Sequence, residues 1–113
     1  AGQFGDLLTE HLEIGGELVT DLKNHEITKA DDARRRWYAN ADTISAFLSG
    51  ISACWSEEKW REFFYSHLEM TEKEAILRLR GDYAADIRIF DQIEAEALRM
   101  ADYTFCGLAT HCR

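Results

Sequence analysis

Apolar residues recur every three to four positions along four stretches of this chain, which is the spacing of one face of an α-helix. This pattern predicts helices over about residues 3–23, 29–49, 57–80 and 83–108. The connections between them are short, so consecutive helices should run in opposite directions. We therefore predict an all-α, antiparallel up-down-up-down four-helix bundle that forms a single domain over residues 1–113.

Residues at the predicted helix ends support these boundaries. Thr28 is the predicted N-cap of the second helix, and Ser56, followed by two glutamates, that of the third. Gly81 fits the left-handed position that closes the third helix, and Asp82 caps the fourth. The chain contains no proline to interrupt any of these segments.

The predicted inward faces of the third and fourth helices mix large apolar side chains with polar ones. On the third helix they are Trp60, Phe63, Phe64, His67, Met70, Thr71, Glu74 and Arg78. On the fourth they are Tyr83, Ile87, Phe90, Ile93, Glu94, Ala97, Ala101, Thr104, Phe105 and Leu108. The spacing of Glu74 and Arg78 predicts an ion pair within the third helix.

Four polar residues are expected at one depth in the bundle, one from each helix. His11 precedes the first turn, and Asn40 follows it, by about 14 residues. His67 lies about 13 residues beyond the second turn, and Glu94 lies 13 residues beyond Gly81. At a rise of about 1.5 Å per residue these equal arms form one layer, with Asn40 at the flank of its helix.

The first interpretation of this layer is a metal site. Imidazole and carboxylate groups suit iron, manganese or zinc, and helix bundles hold such ions on inward side chains. His11, His67 and Glu94 would be the ligands, and Asn40 would hydrogen-bond to the ligands without binding the ion itself. Ala97 stands where a di-iron protein has the histidine of its Glu-x-x-His motif, so the site would be mononuclear, with open positions for water or a small ligand.

The second interpretation is a buried hydrogen-bonded layer that only sets the register of the helices. The protein would then be a non-enzymatic structural or protein-interaction module.

A third interpretation is a histidine phosphotransfer domain centred on His11. Ile14 stands where such a domain carries a lysine, and His11 falls on the apolar stripe, whereas a phosphoacceptor must be accessible. The cysteines and His111 near the end of the chain match no zinc signature.

Charge and cysteine content narrow the classes of partner. The chain carries 21 acidic and 13 basic residues, a net charge of −8, which argues against nucleic acid and anionic membranes as partners. No apolar run approaches the roughly 18 residues of a spanning helix. Three cysteines without a framework spacing favour a reduced, cytoplasmic setting. The first residue is not methionine, so we expect a processed chain, a tag remnant or a fragment.

Several segments carry a resemblance to a known family. They are residues 35–42 (RRWYANAD), 55–58 (WSEE), 67–68 (HL) and 90–94 (FDQIE). Over about residues 7–102 the chain resembles a family of uncharacterised bacterial helical proteins. The resemblance implies a ferritin- or haemerythrin-like bundle, with no established activity.

The same resemblance implies a further helical segment before the present chain. That segment would supply additional metal ligands, or its absence would leave an apolar strip exposed. An exposed strip would drive self-association, so the expected partner is a second copy in a homodimer.

Overall fold

The protein folds into four α-helices. The structure is a computed structural model that describes residues 2–109. Its helices are α1 (Gly2–Lys23), α2 (Ile27–Ser49), α3 (Glu57–Leu79) and α4 (Tyr83–Ala109). The described residues contain no β-strand. The all-α class and the four helices are confirmed, and every boundary lies within two residues of its predicted place.

The caps of α3 and α4 follow the prediction. The backbone N–H of Lys59 donates to Ser56 Oγ at 3.1 Å, and that of Ala85 donates to Asp82 Oδ1 at 3.1 Å. Each bond satisfies one of the N–H groups that the first turn of a helix leaves unpaired. Gly81 has a φ of +78°, the left-handed conformation expected of it.

The predicted N-cap of α2 is wrong. The helix begins at Ile27, so Thr28 lies inside its first turn. His25 adopts a φ of 58°, and the backbone N–H of Glu26 donates to the Asp21 carbonyl at 2.9 Å. This tight turn reverses the chain within three residues, and α2 starts directly after it.

The chain divides into two compact units, Ala1–Ile44 and Ser45–Arg113. The N-terminal unit contains α1 and most of α2. The C-terminal unit contains the end of α2, its connection to α3, and the α3 and α4 helices. The single domain expected from chain length stays a prediction.

In the N-terminal unit side-chain hydrogen bonds join α1 to α2. Glu17, late in α1, bonds Arg36 in the first half of α2, while His11, nearer the start of α1, bonds Asn40 further along α2. Aliphatic side chains, small alanines and one indole fill the interior. They are Ile14, Leu18, Ala30, Ala33, Trp37, Ala41 and Ile44.

An aromatic cluster forms the core of the C-terminal unit. The Trp60 ring lies 5.4 Å from the Trp55 ring and 5.3 Å from the Tyr103 ring, both edge-on, and stacks on Phe64 at 5.7 Å. Such pairs add about 0.5–1.5 kcal/mol each beyond the area they bury. Trp55 and Trp60 are buried, as is Trp37 in the other unit, so all three indoles contribute to packing.

A second set of contacts joins the end of α4 to the connection before α3. We call it the C-terminal clasp, formed by Ser52, Trp55, Ser56, Tyr103 and Gly107. The Trp55 indole lies directly on Gly107, where a Cβ atom would be 1.7 Å from Nε1. That Nε1–H donates to the Tyr103 carbonyl at 3.1 Å, and Ser52 Oγ donates to the Gly107 carbonyl at 2.7 Å. The Ser56 N–H donates to the Tyr103 hydroxyl at 2.7 Å.

The predicted inward face of α4 is wrong. The buried residues of this helix are Asp86, Ile89, Glu96 and Gly107. Five side chains expected inside are exposed instead: Tyr83, Ile87, Phe90, Phe105 and Leu108. The clasp explains the difference, because it turns the Gly107 side of the helix inward. Phe105 and Leu108 lie at about 160° and 100° around the helix from Gly107, so they turn outward.

No helix within residues 2–109 combines the length and the apolarity that crossing a membrane requires. Cys54 is disulfide-bonded and Cys106 is exposed. The disulfide is at odds with the reduced setting that the cysteine count favours. The cytoplasmic location stays a prediction, and His111 and Cys112 lie outside the described residues.

Candidate functional site

His11 and Asn40, two of the four residues expected in one layer, are hydrogen-bonded. Asn40 is buried, and its Nδ2 donates to the Leu7 carbonyl and to Glu10 Oε1, each at 3.1 Å. Its Oδ1 is therefore an acceptor, and it receives the Nδ1–H of His11 at 2.6 Å. We call this set, with Trp37, the α1–α2 lock. One amide side chain thereby fixes α2 to α1 at three points.

The aromatic part of the lock depends on a glycine. The His11 ring stacks on the Trp37 indole at 5.5 Å, with 27° between the ring planes. A Cβ atom at Gly15 would approach Trp37 Nε1 to 3.3 Å, so the indole lies close against the α1 backbone. His11 is half-buried under these contacts, which is the setting of a packing residue. An accessible phosphoacceptor needs the opposite, so the phosphotransfer interpretation gains no support here.

A shallow open groove of about 520 Å³ runs beside the lock. Carboxylates dominate its walls. Its lining residues are Glu10, Glu13, Ile14, Glu17, Arg36, Ala39, Asn40 and Thr43. Arg36 bonds both oxygens of Glu17, at 2.6 and 3.1 Å, and also Asp32 at 2.9 Å. The bonded guanidinium lowers the pKa of Glu17 below its usual value, so this carboxylate is unsuited to act as a general base near neutral pH.

His67 lies on α3 in the C-terminal unit, half-buried as predicted. Its Nδ1 is buried and has no hydrogen-bond partner among the described residues. Burial lowers the pKa of His67, and the carboxylate of Glu96 opposes that shift. The imidazole of His67 is therefore neutral at pH 7. The charge that acts on it belongs to Glu96, a residue that the sequence pattern does not single out.

The carboxylate predicted to join the layer from α4 is on the wrong side of its helix. Glu94 is exposed, while Glu96, two residues on, is buried and accepts from Arg99 Nη2 at 2.6 Å. This follows from the rotation of α4 that the clasp imposes. The signal for Glu96 was in the sequence as a carboxylate three residues before an arginine.

A second carboxylate is also paired differently from the prediction. Arg78 Nε donates to Asp86 Oδ2 on α4 at 2.8 Å, so the ion pair crosses between helices. Glu74 contributes only a longer-range attraction to Arg78, and one of its oxygens is buried without a hydrogen-bond partner in the described part of the chain. The predicted Glu74–Arg78 pair within α3 is therefore replaced by a pair that bonds α3 to α4.

The expected metal site finds no support in these positions. Across residues 2–109 no group of three or more histidine, cysteine, aspartate or glutamate side chains is placed to hold a metal ion. Glu94 faces solvent, and Asn40 is fully engaged within the α1–α2 lock. The set of His11, His67 and Glu94 stays a prediction.

The feature that departs most from an ordinary folded surface is the outward face of α4. Six large apolar side chains follow one another along it, each 54–70% exposed. They are Tyr83, Ile87, Phe90, Leu98, Phe105 and Leu108, and we call them the α4 stripe. Ala97 and Ala101 lie among them on the same face.

No protein-family model matches the sequence, and the searches of curated proteins and of solved structures found no similar protein. The resemblance to a bacterial helical family stays a prediction.

Proposed function

We propose that this protein is a non-enzymatic protein-interaction module that binds a partner through the α4 stripe. The observation that carries the proposal is the exposure of six large apolar side chains along one face of a 27-residue helix. Single exposed apolar residues are normal, but several large ones along the same face of one helix mark a contact surface.

The size of the stripe supports this function. Its six side chains expose roughly 700 Å² in total, taking about 150–250 Å² for each complete aromatic side chain and somewhat less for Leu and Ile. The largest apolar patch on a typical monomer is about 300–600 Å² and is itself often functional. An uncovered face of this size costs solubility unless something covers it.

The use of the polar groups supports a non-enzymatic role. The amide of Asn40 donates to two acceptors on α1, and Asp86 accepts from Arg78 across the α3–α4 pair. A general acid or base must instead be within reach of a substrate, with a pKa matched to the working pH. Hydrogen bonds of this kind between helices support the second interpretation of the layer, in which polar residues set helix register.

We further propose that the helices complete an antiparallel up-down-up-down bundle. Ion pairs between consecutive helices support this arrangement: Glu17, late in α1, bonds Arg36 in the first half of α2, and Arg78, at the end of α3, bonds Asp86 at the start of α4. The connection between α2 and α3 spans only residues 50–56. A connection of that length favours neighbouring helices of opposite direction.

The proposal is tested with the double variant Phe90→Glu/Phe105→Glu. Both side chains are more than half exposed, so we expect unchanged helicity by circular dichroism and a melting temperature within about 5 °C of the parent. The matched control is Phe63→Glu, which places a charge in the buried aromatic cluster and should unfold the chain.

If the double variant unfolds as the control does, the stripe belongs to the protein's own core and the proposed contact surface does not exist. If it folds, the face is a true surface, and its occupant becomes the remaining question.

A further inference from the structure

We infer that the α4 stripe is covered by a second copy of this chain, with the two α4 helices packed antiparallel about a twofold axis near Ala95. The inference rests on the proposed function and names its partner. It is carried by the area of the stripe, the order of large and small residues along it, and the charges beside it.

The area fits a twofold dimer. In such an interface both copies contribute the same patch, so the stripe would be buried twice. Two patches of roughly 700 Å² give about 1,400 Å², inside the 1,200–2,000 Å² range of stable protein interfaces. A second copy would therefore cover the whole row with one contact.

The spacing of the outward face fits helix-on-helix packing along its full length. Residues 83, 87, 90, 94, 97, 101 and 108 are separated by alternating steps of three and four, with one step of seven. This is the period of 3.5 that keeps a seam facing a partner helix. Ile89 and Glu96 are buried and Met100 is half-buried against the rest of the unit, so the seam uses a face of α4 that the fold leaves open.

Size along the stripe selects an antiparallel arrangement. In a pair aligned about residue 95, position i faces position 190 − i of the other copy. Phe90 then inserts between Leu98 and Ala101 of the second copy, and Ile87 inserts between Ala101 and Phe105. Large side chains from the first half of the helix thus meet the alanines of the second half, which allows close packing.

Charges beside the stripe point the same way. Arg88 and Asp102 are exposed, lie on the same side of the stripe, and stand seven residues either side of residue 95. An antiparallel pair therefore brings Arg88 near Asp102 of the second copy, twice by symmetry. A parallel pair would oppose Arg88 to Arg88 and Asp102 to Asp102. Rim charges of this kind set orientation more than affinity.

One residue opposes the contact. Glu94 lies in the seam and would approach Ala97 of the second copy, where its charge loses water without gaining a basic partner. Polar residues at seam positions commonly hold a helix pair at moderate strength. We therefore expect a reversible dimer that Glu94→Leu tightens by at least tenfold.

The experiment is sedimentation equilibrium of the whole chain between about 1 and 100 µM, with circular dichroism to verify the fold of each variant. The parent should dimerise in this range. Phe90→Glu should remain folded and raise the dissociation constant by at least 100-fold. Leu12→Glu, at an exposed leucine of α1, is the matched control and should leave it unchanged.

Direction is tested by charge reversal at low salt. Arg88→Glu should weaken the dimer by about three- to tenfold, because two rim attractions become repulsions. Adding Asp102→Arg should restore it. In a parallel dimer the like charges already face each other, so neither change would have this effect.

A parent chain that stays monomeric throughout, or a dimer that survives Phe90→Glu, overturns the inference of a second copy. The folding test of Phe90→Glu/Phe105→Glu remains independent of that result, so a monomeric parent with a well-folded double variant would leave the contact surface standing with a different occupant. A dimer lost on Phe90→Glu but indifferent to Arg88→Glu overturns the antiparallel alignment.

Discussion

The two units of this protein hold their helix pairs together by opposite means. The N-terminal unit relies on a polar side chain, Asn40, which bonds α1 at three points beneath a stacked imidazole and indole. The C-terminal unit relies on the absence of a side chain, since Trp55 lies where a Cβ of Gly107 would be. Asn40 stabilises its helix pair by hydrogen bonds, whereas Gly107 does so by having no Cβ atom to keep Trp55 away.

This difference determines which substitutions the α1–α2 lock and the C-terminal clasp tolerate. A buried amide with three partners tolerates no change of register, because a shift would leave several groups unpaired. A ring on a bare backbone tolerates no added atom, because interiors are close-packed. The α1–α2 lock and the C-terminal clasp should therefore be disrupted by different kinds of substitution.

Gly107→Ala should be the most damaging single-methyl change. The new Cβ would be 1.7 Å from Trp55 Nε1, so the ring must leave its place and take its bond to Tyr103 with it. We expect the free energy of unfolding in urea to fall by about 3 kcal/mol or more.

Gly16→Ala is the control, since a Cβ there meets nothing within 4 Å. It should raise stability by up to about 1 kcal/mol through helix propensity alone. Equal stability for the two variants would refute the role given to the clasp.

Asn40→Ala should lower the free energy of unfolding by about 2 kcal/mol, because the half-buried His11 Nδ1–H loses its partner and the bond from α2 to the Leu7 carbonyl is lost. The double variant His11→Leu/Asn40→Leu should recover a large part of the loss, as apolar replacement of both partners removes the unpaired groups. Thr43→Ala, whose hydroxyl bonds only its own helix, should cost less than about 0.5 kcal/mol. Additive losses in the double variant would mean that the two residues act independently.

Arg78→Met should lower stability by about 1–2 kcal/mol, because Asp86 is buried and would lose its partner. The matched change is Arg61→Met, which breaks an exposed pair with Glu57 inside α3 and should cost less than about 0.5 kcal/mol. Urea unfolding of both variants makes the comparison. A loss at Arg61 as large as that at Arg78 would remove burial as the cause.

The smallest effect concerns the pH dependence of stability. Burial lowers the pKa of His67 in the folded chain below its ordinary value of 6.5. As the pH falls below 6.5 the unfolded chain binds a proton that the folded chain does not, so the free energy of unfolding should decline between pH 7 and pH 5. His67→Leu should flatten that slope. An unchanged slope in His67→Leu would assign the titration to other groups.

Much of the fold was predictable because its signals are local. Helical periodicity gave four helices, and Ser56, Gly81 and Asp82 marked their ends. Equal helix arms brought His11 and Asn40 to one level because both belong to a single tight hairpin, where counting residues from the turn fixes depth.

The orientation of α4 was not predictable by the same means. Ranking helix faces by apolar content assumes that the most apolar face is inside, which placed Glu94 in the interior and Glu96 outside. The contact that decides the rotation is non-local, since it joins Gly107 to the segment before α3. Arg78 illustrates the same limit: Glu74 lies four residues away on its own helix, yet Asp86 on the next helix takes the bond.

The C-terminal clasp also determines how late in synthesis the C-terminal unit can complete its fold. The hydrogen bond from His11 to Asn40 spans 29 residues, whereas that from Ser52 to Gly107 spans 55. At about 5–20 residues per second, a nascent chain waits roughly 3–11 s between the appearance of Ser52 and that of Gly107. Throughout that interval the indole of Trp55 has no backbone to rest on, and the aromatic cluster of α3 is available to chaperones. The N-terminal hairpin needs no such protection, because its lock can close before α3 has begun to emerge.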